Sequence, residues 1–197
     1  MKIVLDAYAP GERIPVQAHL RNRKLAKYFN RETAAAVVAA AKLLNGLSFD
    51  SRRPFYYETG VMAYEDLGLD LIADASRDDQ RGFSQQRFID NGVRAVPPLT
   101  QFKALYNMPL SFVAIEHGLT GENAVIYASA SGLLLQALQA PVSTGILIGC
   151  GKVFADGGVE AGFALIDKQD IEQSPFLNHP GEAIEIFRAW HADGSRA

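Results

Sequence analysis

Alternating apolar and polar stretches sort the chain into short strands and amphipathic helices. Lys2 to Leu5 is apolar and β-branched and breaks at Pro10-Gly11, which predicts a first strand followed by a loop. Asn30 can cap a helix through Glu32 and the block Ala34 to Ala41, and Gly46 stands beyond its end, where a left-handed residue is wanted. The apolar face of this helix is mostly alanine and valine, so it can lie close against a sheet or another helix. Phe55 to Glu58 reads as a second strand after Pro54, and residues 61–75 as a weak helix with Asp66, Asp70 and Asp74 at four-residue spacing. From Asp74 to Thr100 the chain is polar, with Asp78-Asp79-Gln80-Arg81-Gly82, Gln85-Gln86 and Pro97-Pro98, and mostly loop with short helical pieces is expected.

Helix returns over Phe102 to His117, ended by Gly118, and a strand follows over Ala124 to Ala128. The next helix runs from Gly132 to Ala140 and stops at Pro141, with Leu134, Leu135 and Leu138 expected in the core. Thr144 to Gly149 is nearly continuously apolar, as in a strand covered on both faces, and Gly162 to Asp167 follows a turn at Asp156-Gly157-Gly158. In the tail, residues 170–197, the stretch Gly181 to His191 puts Ile184, Phe187 and Trp190 on one helical face. The order predicts an α/β fold with a mixed sheet in one domain spanning residues 1–197.

Composition narrows the class. The chain has 197 residues, 48% hydrophobic and 21% charged, enough for a sizeable core. A formal charge of −3 gives no reason to expect nucleic acid as a partner. No apolar run is long enough to cross a bilayer, no signal-peptide pattern is present, and Cys150 has no second cysteine to pair with. A reduced, cytoplasmic protein with no membrane partner is the expectation.

Candidate chemistry centres on the stretch Val125 to Leu138, where a β-branched run meets the small residues Ala128-Ser129-Ala130-Ser131-Gly132 and passes at once into a leucine-rich helix. A strand turning sharply into a helix presents the side chain of the turn to free N–H groups, where developing negative charge is favoured. Ser129 at this turn is a nucleophile, the vacancy left by one, or a small residue in a tight bend. A serine hydroxyl needs a base oriented by a third group. The histidines are His19, His117, His179 and His191; His117 closes its helix, where an imidazolium suits the dipole, and the others fall in loops or the tail. The flanking alanines also depart from a Gly-x-Ser-x-Gly elbow. Gly149-Cys150-Gly151 lacks the third glycine and the helix of a dinucleotide fingerprint and reads as a tight turn, with Cys150 as a small buried hydrophobe. The aspartates at 66, 70 and 74 read as a solvated acidic face, since no ligand loop accompanies them, so no metal is expected. Arg21, Arg23, Lys24 and Lys27, with Arg52 and Arg53, form either a solvated charged surface or one that meets an acidic protein.

Asn107-Met108-Pro109 with its following helix, Gly118-Leu119-Thr120-Gly121, the strand to Tyr127 and Ala128-Ser129-Ala130-Ser131-Gly132 together resemble a β-ketoacyl synthase, in order and in spacing. The resemblance continues through Ile146 to Gly151 and Glu160 to Ile166. It implies the first half of a thiolase-like fold, a five-stranded mixed sheet flanked by helices, with no cofactor. Ser129 stands where the family has its acyl-accepting cysteine, and the histidines and lysine used in decarboxylation and condensation belong to the family's second half. By this resemblance Ser129 is a degenerate nucleophile position, and Asn107, Met108 and Ser131 are acyl-binding candidates. The implied function is a non-catalytic, chain-length-factor-like subunit in fatty-acid-like or polyketide biosynthesis. The alternative is a serine-dependent acyl hydrolase or acyltransferase using Ser129. The implied partners are a second copy or a ketosynthase-like chain, through an interface containing Val125 to Tyr127, and an acyl carrier protein.

Overall fold

The computed structural model describes residues 1–47, 50–60, 68–78, 80 and 82–194. They fall into two compact units, Met1–Met62 with Tyr106–Ala197, and Ala63–Leu105.

The larger unit is built on a five-stranded sheet in the order β1-β7-β6-β2-β5, from β1 (Lys2–Tyr8), β2 (Phe55–Thr59), β5 (Asn123–Tyr127), β6 (Ile146–Val153) and β7 (Val159–Ile166). β6, β2 and β5 run parallel, while β7 is antiparallel to both of its neighbours, so the expected mixed sheet is present. β2 sits between β6 and β5 and is buried along its whole length. Its residues alternate between two apolar layers: Phe55 and Tyr57 face α1 (Arg31–Leu44) and α4 (Met108–His117). Tyr56 faces α5 (Ala130–Leu138), α6 (Lys168–Glu172) and α7 (Ala183–Gly194).

α1 forms as its sequence dictates. The Asn30 side chain accepts from the Thr33 N–H at 2.7 Å, and Gly46 adopts φ +72° beyond the end. Ala35 to Ala40 are fully buried, because only small side chains let the helix axis come this close to the sheet. The tail forms α7 with Ile184, Phe187 and Trp190 inward, and Gly162 of β7 leaves room for Phe187: a Cβ there would lie 2.5 Å from its ring.

Three expectations need correction. The helix over 102–117 is broken, a 3-10 segment at Pro98–Ala104 giving way to α4 at Met108. Pro109 lacks an N–H and clashes with a preceding turn, so it belongs in the first turn of a helix. Gly149-Cys150-Gly151 is no turn but the middle of β6. Its glycines admit neighbours from the α1 side, since a Cβ on Gly149 would meet the Phe163 ring at 2.6 Å and one on Gly151 would collide with the Tyr57 hydroxyl. Leu135 is 47% exposed, whereas Leu133 and Leu134 are buried, so the inward face of α5 is rotated by one position, with Leu138 half-buried. α6 was not expected; Asp167 and Asp170 form a capping box around its first turn.

In the smaller unit α2 (Leu69–Ala75) forms the described part of the helix expected over 61–75, whose first residues, including Asp66, lie outside the described ones. The polar stretch after it holds a two-residue hairpin, β3 (Arg77–Asp78) with β4 (Gly82–Phe83), then α3 (Gln85–Asp90) capped by Ser84. Asp70 and Asp74 are exposed, and Asp74 lies 3.6 Å from Arg77.

The rotated face of α5 makes a direct prediction. Leu134→Ala should lower the unfolding free energy by about 2–5 kcal/mol, as large-to-small changes in packed interiors do, and Leu135→Ala by about 0.5 kcal/mol or less. Urea titrations of the two variants check the order.

Candidate functional site

β5 ends and α5 begins within three residues. The Ala128 N–H donates to the Thr59 carbonyl at 2.9 Å, extending the β2–β5 pairing by one bond, and Ala128 then turns the chain at φ +45°. A left-handed alanine costs on the order of 1 kcal/mol, so the surrounding structure holds it there. The strained apex is therefore Ala128. Ser129 is extended, at φ −147°, and is the N-cap of α5: its hydroxyl accepts from the Gly132 N–H at 3.1 Å. Gly132 makes this close cap feasible, because a Cβ there would lie 2.9 Å from Ser129 Oγ.

The first amide of the helix is also occupied. The Ala130 N–H donates to the Gly181 carbonyl at 2.9 Å. The next residue, Glu182, pairs with Lys152 on β6, and Gly60, just past β2, donates to the Gly151 carbonyl at 3.0 Å. The Gly181–Glu182 segment thus ties the start of α5 to the carboxyl ends of the parallel strands. At this end of an open α/β sheet, ligands ordinarily sit against free helix N–H groups. Here protein atoms take the Ala130 and Gly132 donors.

The other sequence candidates fall around this junction unevenly. Ser131 lies beside it, its hydroxyl 3.5 Å from that of Ser129. Asn107 is exposed at the start of α4, and Met108 packs against the α1 layer. The ring of the preceding residue, Tyr106, meets Tyr127 of β5 edge-on at 4.9 Å, which brings the head of α4 toward the end of β5. No histidine hydrogen-bonds to Ser129 among the described residues. His117 closes α4 as expected. Burial, and then the Arg21 charge, push its pKa down, and its Nε2 is buried without a hydrogen-bond partner. His179 Nε2 is 2.7 Å from Glu185. Cys150 is fully buried, and burial pushes its thiol pKa well up, so it is inert.

Two buried carboxyl groups were missed by sequence reasoning. Glu58, on the α7 side of β2, is fully buried, and neither of its oxygens has a close hydrogen-bond partner, the Ala183 N–H acting on it only weakly. Burial raises its pKa to about 8, aided by the Glu182 and Glu32 charges and opposed by the Ala183 N–H and Lys152. Glu32, in the first turn of α1, accepts from Thr59 Oγ1 at 2.9 Å and from Tyr57 Oη at 3.1 Å; burial still raises its pKa to about 8. The available signal was a glutamate inside the apolar run Phe55-Tyr56-Tyr57-Glu58-Thr59, where a charged residue is out of place. No group of acidic, histidine and cysteine side chains suited to a metal ion occurs among the described residues.

No family model matches the chain, and no curated protein does. Solved structures do. The ishigamide ketosynthase/chain length factor matches with a TM-score of 0.55 at 20% identity, over 84% of this chain and 50% of its own. A type II polyketide-synthase acyl-carrier protein in complex with its ketosynthase bound to the hexaketide matches with a TM-score of 0.52 at 11% identity, over 80% of this chain and 52% of that one. The fold is therefore the ketosynthase-like, thiolase-like one, and the chain spans about half the length of the structures it matches. No described helix is long and apolar enough to cross a membrane.

The raised carboxyl pKa values set a pH dependence. Between the ordinary carboxyl value of about 4.3 and about 8, the native chain keeps protons on Glu32 and Glu58 that the unfolded chain has released. Stability from these groups is complete below that window and is lost as pH rises through about 8. The thermal midpoint should fall between about pH 6.5 and 8.5, and Glu58→Gln should flatten the fall. Scanning calorimetry across the window checks both.

Proposed function

We propose that this chain is a non-catalytic, ketosynthase-like subunit that assembles with an active ketosynthase in polyketide or fatty-acid-like biosynthesis, in the manner of a chain length factor. The observation that carries this reading is the occupied junction: a ketosynthase-like fold in which Ser129 caps its own helix and Gly181 takes the first amide. An acyl-accepting serine needs its hydroxyl directed at a substrate and a base to remove its proton, and an oxyanion needs donors that are free. Ser129 has its hydroxyl turned to Gly132, and the Ala130 and Gly132 N–H groups of this helix start are engaged.

The assembly half of the reading rests on β5. It pairs with β2 on one side and forms an edge of the sheet, its sequence Asn-Ala-Val-Ile-Tyr carries no charge, and Tyr127 is 50% exposed. An uncharged edge strand invites pairing with another chain. The ketosynthase is the occupant we assign, with a second copy of this chain as the competing outcome. An acyl carrier protein joins the same assembly, and Ser131 with the Asn107–Met108 start of α4 forms this chain's contribution to the acyl-facing surface.

Co-expression with a type II polyketide ketosynthase tests the proposal. Light scattering should give a heteromer, Tyr127→Glu should dissociate it while circular dichroism stays unchanged, and condensation of acyl and malonyl thioesters should require the partner. A homodimer indifferent to the ketosynthase would defeat the assembly. A stoichiometric fluorophosphonate adduct on Ser129, abolished by Ser129→Ala, would replace the non-catalytic reading with the serine hydrolase.

A further inference from the structure

The segment His179 to Glu182, which carries the Gly181 carbonyl onto the Ala130 N–H, is tied down on both sides by charged groups. Glu182 pairs with Lys152 of β6. His179 Nε2 lies 2.7 Å from Glu185, whose carboxylate folds over Gly181 so closely that a Cβ there would lie 2.5 Å from it. Glu58 lies against the same segment: the Ala183 N–H acts on it, and a Cβ on Gly60, just past β2, would lie 3.5 Å from the Glu182 carboxylate. The groups that face Glu58 are Glu182 and the Ala183 N–H, Lys152 and the Cys150 thiol of β6, Tyr57 of its own strand, and Glu32 of α1. α5 contributes no titratable side chain, and Glu160 of β7 is bound by Arg188 of α7 through two bonds of 2.7 Å. One ammonium, Lys152, thus stands between two carboxyl groups, and it is paired with the outer one.

We infer that this segment is a latch released by alkaline pH: once Glu58 gives up its proton to solvent, Lys152 turns from Glu182 to Glu58, and the loosened segment withdraws Gly181 from the Ala130 N–H. The direction follows from burial. Glu182 keeps 15% of its side chain exposed and is solvated on release, whereas Glu58 is at 0%, so the deeper carboxylate holds the shared ammonium more strongly. Two carboxylates on one ammonium also repel each other, and outward movement of Glu182 relieves the repulsion and lets water reach Glu58. Glu58 keeps its proton up to about pH 8, because burial and then the Glu182 and Glu32 charges favour its neutral form. The latch is therefore closed below that pH and released above it. The His179–Glu185 tie involves neither Lys152 nor Glu58, so release starts from the Glu182 end. The device belongs to this chain alone and does not depend on the assembly proposed above.

The test is amide exchange with water, followed by NMR on the ¹⁵N-labelled full chain at about pH 7 and about pH 9, one unit to either side of the Glu58 transition. Each rate is divided by the intrinsic rate at its pH. Protection of the Ala130 amide should fall about tenfold or more between the two conditions, while it still exchanges faster than Ile148 in the middle of β6, which marks a local opening rather than unfolding of the sheet. Glu58→Gln, which cannot ionise, should keep Ala130 protected at the higher pH. Lys152→Met, which unties Glu182 without any proton leaving Glu58, should lower the protection of Ala130 already at the lower pH. The inference is overturned if Ala130 is equally protected at both pH values, if it exchanges at the same rate as Ile148 at the higher one, or if Glu58→Gln loses protection as the wild type does. The comparison of the wild type with Glu58→Gln decides the matter by itself should Lys152→Met fail to fold.

Discussion

Gly181 accepting from the Ala130 N–H is the contact on which the functional character of the chain depends. A helix start has amides with no partner inside the helix, and a strand-to-helix turn at the carboxyl edge of a parallel sheet ordinarily leaves them for a ligand or an oxyanion. Here the segment leading into α7 takes the first of them, the Ala130 N–H, and Ser129 takes that of Gly132. The cover is anchored at three places: Gly181 on Ala130, Glu182 on Lys152, and α7 itself, whose Phe187 packs onto Gly162. Removing the cover would expose the amide and strand Lys152, so closing the site and holding the tail are one structural event.

The same arrangement explains why Glu58 is tolerated. A buried carboxylate is costly, and the chain meets that cost by keeping the group protonated, burial and the Glu182 and Glu32 charges outweighing the Ala183 N–H and Lys152. Glu32, on the other side of β2, has Tyr57 and Thr59 as donors and settles at a similar pKa. Two protonated carboxyls astride β2 make this end of the sheet sensitive to alkaline pH, while the alanine-packed middle of α1 carries no titrating group.

What could be read from the sequence was local. Asn30 and Gly46 mark the ends of α1, the leucines mark α5, and the spacing of Ile184, Phe187 and Trp190 marks α7, because caps and periodicity act over a few residues. What escaped reading was set by distant neighbours. Gly149 and Gly151 looked like a turn because glycine often marks one, but they are glycines because Phe163 and Tyr57 need the space. Ser129 looked like a possible nucleophile because the small residues around it allow either role; the cap to Gly132 is local, yet the contact that closes the site comes from a backbone carbonyl, which leaves no trace in side-chain pattern. Glu58 was visible as an anomaly in β2, but its partners lie on β6 and before α7.

The account turns on Ser129 being held by its own helix rather than reserved for chemistry. Residues kept for catalysis are commonly neutral or stabilising to remove, whereas an N-cap is not. Unfolding free energies of the wild type, Ser129→Ala and Ser129→Asp in urea decide between them. The predicted result is a loss of about 1 kcal/mol for alanine and stability within a few tenths for aspartate, which can take the same Gly132 N–H. An alanine variant as stable as the wild type, or more stable, would contradict the account.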